Sequence, residues 1–238
     1  MIESTAIGRI VIPREIPPGF ALFYTTRDFP GFLSEEAARG LTSLIANRFG
    51  IDASLSTCRQ VHGAAVRGVR TPRPHTWNEC DSCDALYSGE RNAALGIKVA
   101  DCLPVTMIDP VHSVIANVHS GWRGAVQRIT AETIATVQRE TRFDAAASRA
   151  WLGPSIRVCC FEVGEEVASQ FDERYVDRSY PKPHADLPRF TRDLLLQHGF
   201  AEDAIVDSEL CTRCDGSIFH SFRRDGSAGG RNLAIVVQ

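Results

Sequence analysis

One stretch limits the folds open to this chain more than any other: Gly96 to Gly124, GIKVADCLPVTMIDPVHSVIANVHSGWRG. Apolar runs at Leu95 to Ala100, Val105 to Ile108 and Ser113 to Val118 are short and bounded by polar or turn residues. That is the pattern of successive buried strands. The first ends at Asp101-Cys102, and the third delivers His119 into a turn. Beyond it, Trp122, Val126, Ile129, Thr133, Ile134 and Val137 trace one face of a single long helix. A chain built this way places a cysteine and a histidine at strand mouths, where side chains project into a site and not a core.

Composition narrows the class. At 44% hydrophobic and 23% charged, the 238 residues read as an ordinary globular protein, and the length does not force a division. A net charge of −3 with scattered basic residues gives no footprint for nucleic acid and no basic face for a membrane. No apolar run approaches the roughly 18 residues that suggest a membrane span. The N-terminus, MIESTAIGRIVIPREIPPGF, mixes acid and proline with its apolar residues and is not a signal peptide. Eight cysteines in such a chain read as thiols or ligands in a reducing compartment, so the expected location is the cytoplasm.

Elsewhere the pattern predicts strands at Ile7 to Ile12, Phe20 to Thr25, Leu55 to Val61, Ala64 to Val69, Ala85 to Tyr87, Ala150 to Leu152, Ile205 to Val206, Phe219 to Phe222 and Leu233 to Val237. Ser34 with Glu35-Glu36 is the N-cap of a helix carrying Leu41, Leu44, Ile45 and Phe49, stopped by Gly50. Further helices are expected at Gly164 to Phe171 and Phe190 to Gln197. Residues 71–84 read as a loop, and Tyr180 to Pro188 as a surface excursion. No repeat, low-complexity tract or linker divides the chain. One mixed α/β domain over residues 1–238 follows.

Three side chains form the first candidate site. His62, in Arg59-Gln60-Val61-His62-Gly63, joins Cys102 and His119 as a His/Cys/His set. Imidazole and thiolate favour zinc or copper(I) over magnesium, and three protein ligands leave the fourth position of a catalytic zinc open. Two buried histidines with a free cysteine is the plainer reading, and Cys102 as a nucleophile with a histidine base is a third. Ser120-Gly121-Trp122-Arg123-Gly124, between strand and helix, suits an anion or is a tight turn. Phe222-Arg223-Arg224-Asp225-Gly226 offers an arginine to an anion or closes a hairpin. Two C-x-x-C pairs, Cys80/Cys83 and Cys211/Cys214, would make a tetrathiolate zinc site if they met, and otherwise are ordinary thiols. Cys159 and Cys160, adjacent on an expected strand, should diverge.

Several motifs taken in order resemble one family. QVHG at 60–63, CDAL at 83–86, ADCLPV at 100–105, HSGWRG at 119–124, WLGPSIRVCCFEVGEEV at 151–167 and CTRCDGSIFHSFRRDG at 211–226 are similar to the YfiH or laccase-domain family, also labelled polyphenol oxidase. The resemblance runs from about Phe23 onward. It implies a single-domain α/β/β/α sandwich, akin to certain cysteine-dependent toxin deamidases, with zinc on residues matching His62, Cys102 and His119. It further implies phosphorolysis of adenosine, inosine, guanosine and methylthioadenosine, with adenosine deamination. Polyphenol oxidation and the correction of peptidoglycan precursors are its other associations. Two segments depart from the pattern. Thr25-Thr26-Arg27 runs quickly into Asp28-Phe29-Pro30-Gly31-Phe32, and RRDG is followed by Ser227 to Asn232 in place of the usual TGRM.

On that reading the expected partners are a purine nucleoside and phosphate, held by Arg59, Gln60, Arg123 and Arg224. Either Asp101 or Glu162 is the candidate base beside the metal. The H-x-E and P-C-x-x-C signature of cytidine-type deaminases is missing. Copper is the less expected metal: the chain has two methionines, and Met107 lies an odd number of residues from Cys102. A zinc-stabilised binding module is the non-catalytic alternative. Monomer and homodimer both stay open.

Overall fold

The computed structural model describes residues 1–29, 33–70 and 73–238. A hairpin of β1 (Ile2–Thr5) and β2 (Gly8–Val11) leads to β3 (Ala21–Thr25) and helix α1 (Glu35–Phe49). Next come β4 (Ser54–Cys58), β5 (Val66–Gly68), β6 (Trp77–Cys80), β7 (Ala85–Ser88), β8 (Ala93–Val99), β9 (Leu103–Asp109) and β10 (Val114–Ser120). Helices α2 (Trp122–Val126) and α3 (Ile129–Glu140) precede β11 (Arg149–Leu152) and α4 (Glu165–Ala168). The chain finishes with β12 (Val176–Asp177), β13 (His184–Ala185), α5 (Leu187–Gln197), β14 (Ile205–Asp207), α6 (Phe222–Asp225) and β15 (Asn232–Val237).

Two mixed sheets carry most strands, in the orders β1-β2-β3-β15-β8-β4-β6 and β14-β11-β9-β10-β7-β5. Side-chain alternation decides what each face meets. On β10, Val114, Ala116 and Val118 pack with Ile129, Ile134 and Val137 of α3 and Leu195 of α5. Ile115 faces the other way, joining Leu86, Ile108 and Trp151 against Leu22, Leu95, Ile97, Ala234 and Val236 of the first sheet. The first sheet's far face packs Phe23, Leu55 and Ile235 on Leu41 and Ile45 of α1. The layers therefore run α/β/β/α, as the resemblance implied. Each fully buried Leu, Ile or Phe in these layers contributes about 1.5–3 kcal/mol.

One polar side chain crosses the central layer. Asn117 of β10, fully buried, donates from Nδ2 to the carbonyls of Leu95 and Ala234 at 2.9 Å each, and its Oδ1 accepts from Thr106. Because a buried amide left unpaired is costly, this pin fixes how the sheets sit against each other.

Local signals explain many boundaries. Ser34 Oγ accepts from the Ala37 N–H at 3.2 Å, and Gly50 ends α1 at φ +70°, where glycine carries no Cβ penalty. Other expectations are corrected. Trp77–Cys80, expected within a loop, is an edge strand parallel to β4: Trp77 Nε1 donates to Thr57 and Asn78 Nδ2 to Ser56. Its polar sequence hid a pairing made by a neighbouring strand. Phe219 to Phe222 is not a strand; Ser221 caps helix α6, accepting from Arg224 N. The single helix expected from Trp122 breaks at Arg128 (φ +60°), letting Trp122 and Ala125 face Ile156 and Phe161 while Ile129 onward faces β10. His184–Ala185, expected on the surface, is buried and pairs with Val176–Asp177. Residues 71–72 of the expected loop, and Pro30-Gly31-Phe32 of the departing segment, lie outside the described residues.

Candidate metal centre

The chain crosses from the first sheet to the second between β8 and β9, and Cys102 sits in that crossing. The β9–β10 register places His119 opposite Pro104, so it lies at the same end as Cys102. His62 arrives from the turn after β4, in a left-handed conformation at φ +59°. One potential ligand atom from each of the three lies within 4.8 Å of the others. The two imidazole rings meet edge to face, with centroids 4.8 Å apart.

Asp84 is the hub that makes this possible. Its side chain is 0% exposed and accepts four hydrogen bonds. Oδ1 takes His62 N at 2.9 Å and faces His119 Nδ1 at 2.8 Å; Oδ2 takes Gly63 N at 2.9 Å and Val61 N at 3.2 Å. One carboxylate thus shapes the turn bearing His62 and orients His119. With Nδ1 committed to Asp84, the bond between His119 and Cys102 runs through Nε2. A carboxylate on the far nitrogen of a ligating histidine is the usual support of a metal site. Sequence reasoning did not single out Asp84, although it lies within the CDAL motif; an acid directly before the apolar Ala85-Leu86-Tyr87 strand was the available signal.

The charges follow from the contacts. Burial alone would raise the Cys102 thiol, but hydrogen bonds from His119 and His62 bring it down to about 6. Burial disfavours a charged His119, yet Asp84 and then Cys102 hold it up to about 9. Burial likewise opposes the Asp84 anion, and His119 with the Gly63 and His62 N–H groups still keeps it below the usual carboxylate value. A thiolate, two imidazoles and an ion-supporting carboxylate are a donor set that fits a soft or borderline divalent ion. Gly121 leaves room for it: a Cβ there would stand 2.8 Å from Cys102 Sγ.

A cavity of about 560 Å³ opens over these residues. Arg59, Gln60, Lys98, Asp101, Phe161, Phe222, Arg223 and Arg231 contribute to its lining. Gln60 is spent partly on structure, pairing its amide with the backbone of Lys98 at 2.7 and 2.9 Å. Asp101, at φ +86°, accepts from Thr212 Oγ1 and Arg223 N, both at 2.6 Å. Its carboxylate therefore fastens the Thr212 loop and the first turn of α6 to the rim.

Three expected site residues stand elsewhere. The Arg224 guanidinium is engaged by Asp225 and the carbonyls of Thr212, Arg213 and Phe219. Arg123 lies over the Trp122 ring, 4.2 Å from its centroid, and Glu162 pairs with Lys182 at 2.8 Å. Arg223, from the Phe222-Arg223-Arg224-Asp225-Gly226 stretch expected to offer one arginine, lines the cavity together with Arg231, which sequence reasoning passed over. Met107 is fully buried in the layer facing α3. Among the described residues, the other histidines join no group of three metal-capable side chains.

Comparison with known proteins adds the following. A family model described as "Multi-copper polyphenol oxidoreductase laccase" matches residues 34–238. An adenosine deaminase, RL5, from an unknown prokaryotic organism is 35% identical over 166 residues, covering 66% of this chain and 62% of that protein. A purine nucleoside phosphorylase of Bacteroides thetaiotaomicron is 35% identical over 162 residues, covering 65% of this chain and 60% of its own. The matches to these two span less than two thirds of the relatives' lengths. A purine nucleoside phosphorylase of Xylella fastidiosa is 30% identical, with 90% of each chain covered. Among solved structures, YfiH of Bacillus licheniformis superposes with a TM-score of 0.82 at 24% identity, covering 92% of this chain and 93% of that one. YlmD of Geobacillus stearothermophilus gives 0.80 at 23%, covering 93% and 92%. Both share the fold.

Proposed function

The chain belongs to the family described as multi-copper polyphenol oxidoreductase laccase, and from that premise we propose that it is a zinc-dependent purine nucleoside phosphorylase with adenosine deamination as a side activity. The proposed substrates are adenosine, inosine, guanosine and methylthioadenosine with phosphate, and the proposed location is the cytoplasm. One observation carries the reading: His62, Cys102 and His119 converge beneath a cavity walled by both cationic and aromatic side chains. Relatives named for purine nucleoside phosphorolysis and adenosine deamination support it.

His62, Cys102 and His119 are the residues that would hold the zinc, which when bound supplies Lewis acidity in the site. Asp84 keeps the His119 proton on Nδ1. Phe222, beside Arg231 and 53% exposed, and Phe161, beneath Arg223, offer faces on which a purine can stack. Arg59, Arg223 and Arg231 provide the charge that would hold phosphate. In phosphorolysis a phosphate oxygen bonds to C1′ as the C1′–N9 bond breaks, and the purine leaves with a proton. Of the two carboxylates considered as the base, Asp101 lines the cavity and is our candidate to take the proton that hydrogen phosphate gives up and pass it to the purine.

The test is chromatography of products from adenosine with zinc-loaded protein. Adenine and ribose 1-phosphate should form only with phosphate present, and inosine with ammonia should form slowly without it. No product under either condition refutes the proposal.

A second reading rests on the same side chains. Cys102 down at about 6, His119 up at about 9, and Asp84 behind it reproduce the nucleophile, base and orienting acid of a cysteine hydrolase. Iodoacetamide separates the two. A ligand cysteine is alkylated only in metal-free protein, whereas a nucleophile that works without metal reacts in both.

A further inference from the structure

We propose that Cys159, Cys160, Cys211 and Cys214 form a second metal site, a closed tetrathiolate that takes zinc. One sulfur from each lies within 4.8 Å of the other three. Cys214 Sγ stands 3.3 Å from Cys160 Sγ and 3.9 Å from Cys159 Sγ. A zinc–sulfur bond of about 2.3 Å in a tetrahedron separates neighbouring sulfurs by about 3.8 Å. The cluster is already near that size.

The pairing differs from the one the sequence suggested. Cys211-x-x-Cys214 meets the adjacent Cys159-Cys160, not Cys80-x-x-Cys83; Cys83 instead lies against Cys58. Cys159 and Cys160 escape the expected divergence because they lie on a turn, closed by the Cys160 and Phe161 N–H groups donating to Arg157 O. Two sulfurs come from each of two loops. The set contains only thiols, and soft ligands in a tetrahedral array select zinc or iron over harder ions. Four protein ligands leave no open position, the mark of a structural site.

The surroundings suit anionic sulfur. Burial pushes the Cys211 thiol up, but backbone N–H groups of Cys214, Arg157 and Arg213 donate to it and bring it below the usual thiol value. Cys214 is pushed up to about 11, first by its bonds to Cys160 and Cys211.

The site also has a structural task. The loop after β11 meets the loop after β14 through Ser155 N to Leu210 O and Thr212 N to Ser155 O. The first loop carries Ile156 and Phe161 to the cavity; the second carries Thr212, which holds Asp101. A metal on the four thiolates clamps the loops together without touching the substrate.

The test is metal content and X-ray absorption of protein kept reduced. We expect two zinc per chain in the parent and one in Cys102→Ser. None should remain in Cys102→Ser combined with Cys159→Ser and Cys214→Ser, both at exposed positions. The zinc kept by Cys102→Ser should show four sulfur neighbours. The unmutated chain, which needs no variant to fold, should average about 2.5 sulfurs per zinc. A single zinc per chain that disappears in Cys102→Ser overturns the proposal. So does a Cys160–Cys214 disulfide found by mass spectrometry in reduced protein, or iron in place of zinc.

Discussion

Asp84→Asn is the substitution that most directly tests how the metal centre is built. The side chain is isosteric, so packing is kept and only the charge and one acceptor change. Asp84 now accepts two hydrogen bonds on each oxygen. If the new amide nitrogen replaces Oδ2, it confronts the N–H groups of Val61 and Gly63, and two acceptor contacts become donor against donor. If it replaces Oδ1, it confronts His62 N–H and forces the His119 proton to Nε2, the nitrogen facing Cys102. The first orientation loses two hydrogen bonds and the second loses one while reversing the His119 contact, each bond being worth about 1.5–3 kcal/mol when an ion is involved. Allowing for relaxation, the metal-free protein should lose about 3 kcal/mol, a fall in Tm of roughly 6–12 °C for a chain of this size. Zinc affinity, read by chelator competition, should fall about 10–100-fold, as when the carboxylate behind a histidine ligand is removed.

The pH dependence gives an independent handle. The Asp84 carboxyl is held below its unfolded value, so its contribution is fully present above about pH 4 and is lost as pH falls through the folded value. In Asp84→Asn the difference from the parent should therefore shrink in acid. A variant melting within about 0.5 kcal/mol of the parent, with unchanged zinc affinity, would refute the assignment of Asp84 as the hub.

Three further outcomes are expected. Gly121→Ala puts a methyl 2.8 Å from Cys102 Sγ and should cost at least about tenfold in zinc affinity with about 1–3 kcal/mol of strain; unchanged chelator competition counts against it. Zinc must displace the proton held by His119, so affinity should rise about tenfold per pH unit from about 6 to about 9 and level off above; a flat profile between those values contradicts the thiolate–imidazolium pair. Phe222→Ala should raise KM for adenosine roughly three- to tenfold with kcat and Tm little changed, since the ring is largely exposed; an unaltered KM removes it from the purine site.

The sequence by itself determined the strand-rich centre, the α1 caps at Ser34 and Gly50, and the strand mouths that carry Cys102 and His119. Those signals act over a few residues: alternation decides which face is buried, and a cap satisfies backbone groups one turn away. It also offered His62, Cys102 and His119 as a candidate ligand set through their residue types, a set that the resemblance of its motifs also implied. Tertiary structure alone decided the rest. Trp77–Cys80 became a strand because β4 lay beside it, and no pattern within four polar residues records a neighbour's hydrogen bonds. Asp84 became the hub, and Arg223 and Arg231 replaced Arg123 and Arg224 at the cavity, through pairings between distant segments. Cys159 and Cys160 met Cys211 and Cys214 across about fifty residues because two loops close over the same sheet end. Sheet order and loop closure fix such distances, and both are properties of the folded chain.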